Sequence, residues 1–469
     1  MKKYDVIVIG LGPAGMNIAG MAPKMGLSTL AIEDHKVGGE CLNYGCIPSK
    51  SLLKSGEVAF STQGIEFFGL ESPDKINIKN PFEMMRKKMP KINKEMAEQM
   101  FEGADLILNQ GKASFVDENT VEVGDEKYQG DLIFIATGTK PFVPPIPGLK
   151  DIDILTNENV FSLDKVPEKL TIIGGGAIGS EMAQAFSRLG SKVTLAQMDP
   201  HLIPVGDEEA GRVLESQFEE ENITVYNSTN IEKVEKKDGV IYMHTDKNVV
   251  ESDEILVATG REPVLEPLKL DNAGIKYNKK AIEVDEYNRT SNPHIYAIGD
   301  CNGKSQLSHA AMHQSMLSLM NSQSPQPIEA LKRSNYMVPW SVFTKPEVAQ
   351  VGLTEKQVSE KNIDFFVLKE EYGKYARAAG EGHDKGFVKV ITDMKGTIHG
   401  VSIVGESASE LIHEWTLAMQ NQLTMFNIVM MQHSFPTLSL LNKRVAEQWM
   451  MKALDSGAMN QMMASLANN

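Results

Sequence analysis

The chain has 469 residues, more than one hydrophobic core ordinarily holds, so roughly two to four domains are expected. Its 42% hydrophobic and 23% charged residues are those of a soluble globular protein, and a formal net charge of -15 excludes a nucleic acid partner, whose binding depends on Lys and Arg displacing counterions. Three cysteines exclude a disulfide framework and point to a reducing compartment, where a Cys–Cys bond is catalytic rather than structural.

The opening "MKKYDVIVIGLGPAGMNIAGMAP" has the outline of a signal peptide, but Gly10, Gly12, Pro13 and Gly15 break its apolar run. Those residues suit a strand-to-helix turn. "YDVIVI" reads as a buried parallel strand, a helical stretch runs to about Gly26, and "STLAIED" reads as a second strand. Glu33 in that strand lies about twenty residues past Gly10, as the dinucleotide fingerprint requires. The glycines admit a pyrophosphate to the helix N-terminus, and the acid binds a ribose diol.

Next comes "GGECLNYGCIPSK", residues 38–50, which holds two of the three cysteines, Cys41 and Cys46. Such a pair is either two unrelated core thiols, half a metal site, or a redox couple. No further Cys or His lies at short spacing to complete a metal site.

The nucleotide unit then recurs. "KLTIIGGGAIGSEMAQAFSRLGSKVTLAQMD" carries Gly174, Gly176 and Gly179 between a strand and a helix, with Gln197 at the offset that Glu33 holds in the first unit. "IFIATGTKP" (133–141) and "ILVATGREP" (255–263) are near-copies, each a buried strand ending in Thr-Gly and each expected to close a nucleotide domain. "HIYAIGDCNG" (294–303) is another apolar strand, and Asp300 at its end either accepts hydrogen bonds from a polyol chain or is a solvated turn residue. Past about residue 335, strands "FFVLKEEYGK", "GFVKVITD" and "IHGVSIVG" accompany helices "SELIHEWTLAMQNQ" and "LLNKRVAEQWMMKAL", a separate α+β domain without a phosphate loop.

From Tyr4 to about Trp449 these residues closely resemble the flavoprotein disulfide reductases, class I pyridine nucleotide-disulfide oxidoreductases, with wording nearest dihydrolipoamide dehydrogenase. "GGECLNYGCIPSK" is the most specific match, and "VFTKPEVAQVGLTE" (342–355) matches the start of the family's interface domain. The resemblance implies FAD on Gly10, Gly12, Gly15, Glu33, Gly39, Lys50, Thr137, Gly138, Asp300, Leu307 and His309. It implies a nicotinamide cofactor on Gly174, Gly176, Ile178, Gly179, Glu181, Gln197 and Gly260. It also implies a homodimer through the C-terminal domain. Cys46 would be the charge-transfer thiol beside the flavin and Cys41 the interchange thiol. Lys50 would pair with Glu181 near flavin N5, where a cation stabilises the reduced, anionic ring.

The resemblance breaks near the C-terminus. The dithiol-using branch carries His-x-His-Pro-Thr-x-x-Glu, whose second His is the acid–base partner of the interchange thiol across the dimer. Aligned on Pro436-Thr437, this chain reads "HSFPTLSL", with Phe435 at the base position and Leu440 at the Glu position. Neither moves a proton. His433 is the remaining candidate. A Tyr at position 435 would have suggested mercuric reductase, and the tail "GAMNQMMASLANN" lacks that enzyme's terminal cysteine pair. The 26 methionines suit soft-ion binding or, more simply, irregular cores.

The expected fold is α/β: an FAD domain begun by residues 1–147 and completed by 268–334, an NAD(P) domain over 148–267, and an α+β dimerisation domain over 335–469. The expected protein is a cytoplasmic FAD-dependent disulfide oxidoreductase without a membrane span or resident metal. NADH is favoured over NADPH, because "AQMDPHLIP" offers no Arg or Lys for a 2′-phosphate. Its electron acceptor is a small molecule or protein, with a quinone, metal ion, sulfur species or protein disulfide as alternatives to lipoamide. Rival readings are a diaphorase using the flavin alone and a regulatory flavoprotein that senses NADH.

Overall fold

The computed structural model describes residues 1–63, 65–72, 76–89 and 92–456. The tail from residue 457, with its methionines and missing cysteine pair, lies outside the described residues. Among the described residues no helix is long and apolar enough to cross a membrane.

The first sheet is built on Lys2–Ile9, an apolar strand buried along most of its length. It pairs in parallel with Thr29–Glu33 on one side and with Glu126–Ile135 on the other. Ala104–Leu108 extends one edge, and Thr120–Val123 with Ala113–Phe115 forms an antiparallel flap on the other. Ile295–Ala297, distant in sequence, returns to pair in parallel with the end of Glu126–Ile135. Strands buried on both faces read as continuous apolar runs, which explains why these segments lack polar alternation.

The second unit is a smaller parallel sheet ordered Thr224–Tyr226, Lys192–Ala196, Lys169–Ile173, Glu254–Val257. The tails of the two near-copies, Thr139–Pro141 and Arg261–Pro263, pair antiparallel with each other. The repeated Ala-Thr-Gly segments therefore end in one ribbon that links the two nucleotide units. The third unit is a five-stranded antiparallel sheet ordered Trp340–Val342, Glu347–Gly352, Ile398–Gly405, Phe387–Thr392, Phe366–Glu371. Helices Ala408–Gln420 and Leu440–Asp455 pack on it around Trp415 and Trp449, both almost fully buried. "FFVLKEEYGK" is a strand only to Glu371; its Tyr372–Lys374 end tightens into a 3-10 turn.

One apolar core joins the three units. Leu52 and Phe82 from the first, Phe186 and Leu214 from the second, and Val348 and Phe387 from the third belong to it. Helix Cys46–Phe60 approaches helix Ala177–Arg188 closely at Gly56, where a Cβ would stand 3.1 Å from the Ala185 carbonyl oxygen. A buried ion cluster reinforces this core. Lys389 of the interface sheet reaches Asp207 at 3.0 Å and Glu355 at 2.7 Å. Asp207 also caps helix Glu208–Glu220 by accepting from Glu209 N. Breaking one partner of a buried pair leaves the other uncompensated. Lys389→Met is therefore expected to destabilise the fold by about 3–5 kcal/mol, measured as a lowered urea unfolding midpoint.

Candidate active site

Two phosphate loops of the same construction face a common cleft of about 2560 Å³. In the first, Gly10 has φ +96°, and a Cβ there would strike the Ala136 carbonyl oxygen at 2.5 Å; in the second, Gly174 has φ +111° and would strike Ala258 O at 2.4 Å. A Cβ at Gly15 would meet Gly10 O at 1.8 Å, and one at Gly179 would meet Gly174 O at 1.9 Å. Each loop thus packs against its own Ala-Thr-Gly strand end, and only glycine permits that approach. Gly12 and Gly176 begin helices Pro13–Met21 and Ala177–Arg188 without a side-chain cap, leaving first-turn N–H groups for an anion.

These cradles fit two dinucleotides. The cleft exceeds the usual small-ligand pocket several-fold. Glu33 lines the first lobe, its carboxylate accepting from Leu11 N at 2.7 Å and His35 N at 2.9 Å, and burial pushes its pKa up. Gly39, Thr137, Gly138, Asp300, Leu307 and His309 line the same lobe. Asp300 accepts from the Thr139 hydroxyl at 3.1 Å, and burial raises its pKa. The Thr137 hydroxyl donates to Val264 O, and His309 Nε2 lies 2.8 Å from Pro339 O. In the second lobe Ile178, Gln197 and Gly260 line the wall, while Gly15 and Gly179 sit behind their loops.

The cysteines stand where the lobes meet. Cys41 lies in the short helix Gly39–Asn43, and Cys46 is the first residue of helix Cys46–Phe60. Both are free thiols. The Cys46 thiol is pushed down to about 6, first by the hydrogen bond from Cys41, then by the Ser308 hydroxyl and the Lys50 charge, against the opposing effect of burial. Cys41 is pushed well up by the same shared bond and by burial. Ser308 Oγ, at the start of helix Ser308–Ser322, is 3.4 Å from Cys46 Sγ.

Lys50 Nζ donates to both carboxylate oxygens of Glu181, at 3.0 and 2.8 Å, and stands 4.5 Å from the centre of the Phe343 ring. Glu181 also accepts from Phe343 N at 3.0 Å. The close helix approach at Gly56 brings Lys50 and Glu181 together, one residue from each nucleotide unit. A second clasp lies beside Cys41, where the Glu40 carboxylate pairs with Arg261. Arg261 also donates to the Thr139 hydroxyl at 2.7 Å and to Thr139 O at 3.0 Å.

Sequence reasoning missed Ser308, Phe343 and the Glu40–Arg261 pair. Glu40 and Arg261 lie in segments already singled out, but their pairing depends on the ribbon between units. Ser308 is one small residue between Leu307 and His309 and carries no signal of its own.

The structure does not bring His433 to the cleft. Its side chain is 1% exposed, and Nε2 lies 2.9 Å from Glu414, which also accepts from Asn442. In its own chain the His433 ring is enclosed against Glu414, where it braces helix Ala408–Gln420 rather than lining the cleft, unlike the expected base. Phe435 is 81% exposed, and Leu440 begins helix Leu440–Asp455.

Comparison with known proteins agrees with this geometry. Residues 4–315 match the pyridine nucleotide-disulphide oxidoreductase family, and residues 338–444 match its dimerisation domain. A dihydrolipoyl dehydrogenase of Thermus scotoductus is 34% identical, the alignment covering 94% of this chain and 96% of that one. A mercuric reductase of Staphylococcus aureus is 33% identical, covering 90% and 78%. The Cu(II) complex of RclA, an HOCl-induced flavoprotein disulfide reductase of Escherichia coli, superposes with a TM-score of 0.84 at 25% identity, covering 96% of this chain and 100% of that one. With two fingerprint loops, a cysteine pair between them and a matching dimerisation domain, the chain belongs to the pyridine nucleotide-disulphide oxidoreductases, as a class I flavoprotein disulfide reductase.

Proposed function

We propose that this protein is an NADH-driven, homodimeric reductase whose Cys41–Cys46 couple serves an acceptor that needs no enzyme-held acid or base, a thiophilic metal ion first among them. The observation that carries this reading is the setting of the cysteines: Cys46 opens helix Cys46–Phe60 with its Sγ 3.4 Å from Ser308 Oγ and the Lys50–Glu181 pair one turn on, while the C-terminal segment offers Phe435 and Leu440 where an acid and a base are expected. The Ser308 hydroxyl and the Lys50 charge favour the thiolate at Cys46, and burial disfavours it at Cys41. FAD, when bound, supplies the relay by which one hydride from NADH converts the disulfide into that one thiol and one thiolate. Lys50, fixed by Glu181, places a cation beside the couple and the flavin lobe. Glu40, Arg261 and Thr139 hold the Cys41 helix against the ribbon between lobes.

Returning the two electrons to one Hg(II), or to two Cu(II) ions that each become Cu(I), re-forms the Cys41–Cys46 bond and requires only sulfur ligands and loss of the Cys41 proton to solvent. Returning them to a dithiol–disulfide substrate also requires protonating and deprotonating that substrate's own sulfurs. General acid–base catalysis typically contributes 10²–10⁴-fold to such a step. Phe435, Leu440 and the enclosed His433 supply none of it. The mercuric reductase relatives and the Cu(II) complex of RclA support the metal-ion reading. Among the described residues no group of three or more His, Cys, Asp or Glu is arranged to hold a resident metal, so the ion is treated as substrate at the cysteine pair.

Steady-state assay of the FAD-loaded protein with NADH tests this. Hg(II) or Cu(II) is expected to be reduced at a rate at least about 100-fold above lipoamide; lipoamide turnover matching the metal-ion rate contradicts the reading. The double substitution Phe435→His with Leu440→Glu is expected to raise lipoamide kcat by about 10²-fold or more. A second test concerns the thiolate. Ultraviolet thiolate absorbance of the reduced protein is expected to fall as pH drops through about 6, where Cys46 takes up a proton. A hydrogen bond to a charged group is worth about 1.5–3 kcal/mol. Ser308→Ala removes a donor that favours the charged form, so the midpoint is expected to rise by about one pH unit or more.

A further inference from the structure

Phe343 is a large apolar side chain left on the wall of the cleft, 37% exposed, while its chain neighbours Val342 and Thr344 are fully buried. It follows strand Trp340–Val342 at one edge of the interface sheet, so the third unit carries it to the nucleotide units. The segment that bears it is fixed by contacts that do not involve the ring. Phe343 N donates to Glu181 Oε1 at 3.0 Å. Two residues on, Lys345 N donates to Gln184 Oε1 and Lys345 O accepts from Gln184 Nε2, both at 2.7 Å. Glu181 and Gln184 stand three residues apart on helix Ala177–Arg188, so they share one of its faces. Lys345 Nζ ties the same segment back to Glu406 at 3.0 Å. What the ring then meets is the Lys50 ammonium, 4.5 Å from its centre. Glu181 is buried and accepts from Lys50 at 3.0 and 2.8 Å, but the Lys50 side chain is itself partly open to the cleft.

Resting on the flavin reading above, we infer that Phe343 is a positioning residue for electron input: its ring confines the Lys50 ammonium beside the flavin lobe, where Glu181 alone would leave it a way into the open cleft. Two bonds to one carboxylate fix the distance between the charges. They leave the flexible four-carbon stem of Lys50 free to swing about that carboxylate. The ring closes the swing on one side, because an ammonium over an aromatic face is drawn to the ring quadrupole, more strongly where water is excluded. A cation kept in place favours the reduced, anionic form of a flavin beside it. Leucine fills much of the same space but offers no such face. The dimerisation domain thereby completes an arrangement whose other two members come one from each nucleotide unit, and it does so with both a backbone N–H and a ring.

The test is anaerobic equilibration of the FAD-loaded protein with a reference redox dye, read as the ratio of reduced to oxidised flavin at a fixed dye poise. Every sample carries Cys41→Ser, so that no disulfide forms and the flavin alone exchanges electrons with the dye. Phe343→Leu keeps the backbone N–H but removes the ring, and is expected to lower the ratio by at least about threefold. Phe343→Tyr keeps the aromatic face and is expected to stay within about twofold of the native ratio. In a chain already carrying Lys50→Gln there is no charge to hold, so Phe343→Leu is expected to change the ratio by less than about twofold. A ring needed only for packing would act equally in both backgrounds. Should Phe343→Leu fail to fold, Phe343→Met takes its place with the same expectation. The inference is overturned if loss of the ring moves the ratio less than about threefold, if Phe343→Tyr falls as far as Phe343→Leu, or if the effect persists undiminished beside Lys50→Gln. If the protein takes up no FAD, the flavin reading falls and the inference with it; if FAD binds and the ratio is unmoved, only the role of Phe343 falls.

Discussion

The proposed chemistry depends on two sulfurs in unlike surroundings. What stands around Cys41 and Cys46 favours the proton on Cys41 and the thiolate on Cys46. Cys46 begins a helix, faces the Ser308 hydroxyl and lies near Lys50; Cys41 lies in a short helix pinned through Glu40 to Arg261. A symmetric pair would be two ordinary thiols. On the proposed reading the asymmetric pair is a thiolate beside a protonated thiol, which matches the thiol and thiolate that one hydride leaves behind.

The larger architecture serves to hold that pair at a junction. Each nucleotide loop packs on an Ala-Thr-Gly strand end with nearly the same geometry, and the strands' tails pair with each other. The cleft is therefore continuous from one loop to the other, with the cysteines and the Lys50–Glu181 pair between them. The interface sheet closes the arrangement from below: Phe343 contributes its N–H to Glu181 and its ring to Lys50.

Much of this was legible in the sequence, for physical reasons that vary with the feature. Gly10, Gly15, Gly174 and Gly179 announced themselves because a Cβ at each meets a backbone carbonyl, and the repeat of that constraint doubled the signal. Buried parallel strands announced themselves as unbroken apolar runs. What stayed hidden was whatever depends on side chains meeting across units. The Glu40–Arg261 and Gln197–Asn227–Glu215 contacts join positions with no common periodicity. The His433 contact was hidden in the same way: a histidine near the expected base position reads as a titratable group, and only the folded helices bring Glu414 beside it. At two positions, 435 and 197, the chain carries an uncharged residue where the resemblance read from the sequence calls for a titratable one. The structure gives these departures different outcomes, an exposed ring at Phe435 and an anchored amide at Gln197.

The most direct measurement of the central claim is an anaerobic thiol count on the FAD-loaded, oxidised protein before and after one equivalent of NADH, under conditions that expose every cysteine. The account expects two new thiols per chain, mapping to Cys41 and Cys46, with Cys301 titrating in both samples. An unchanged count while NADH is consumed would contradict it, because the electrons would then have stopped short of the sulfurs.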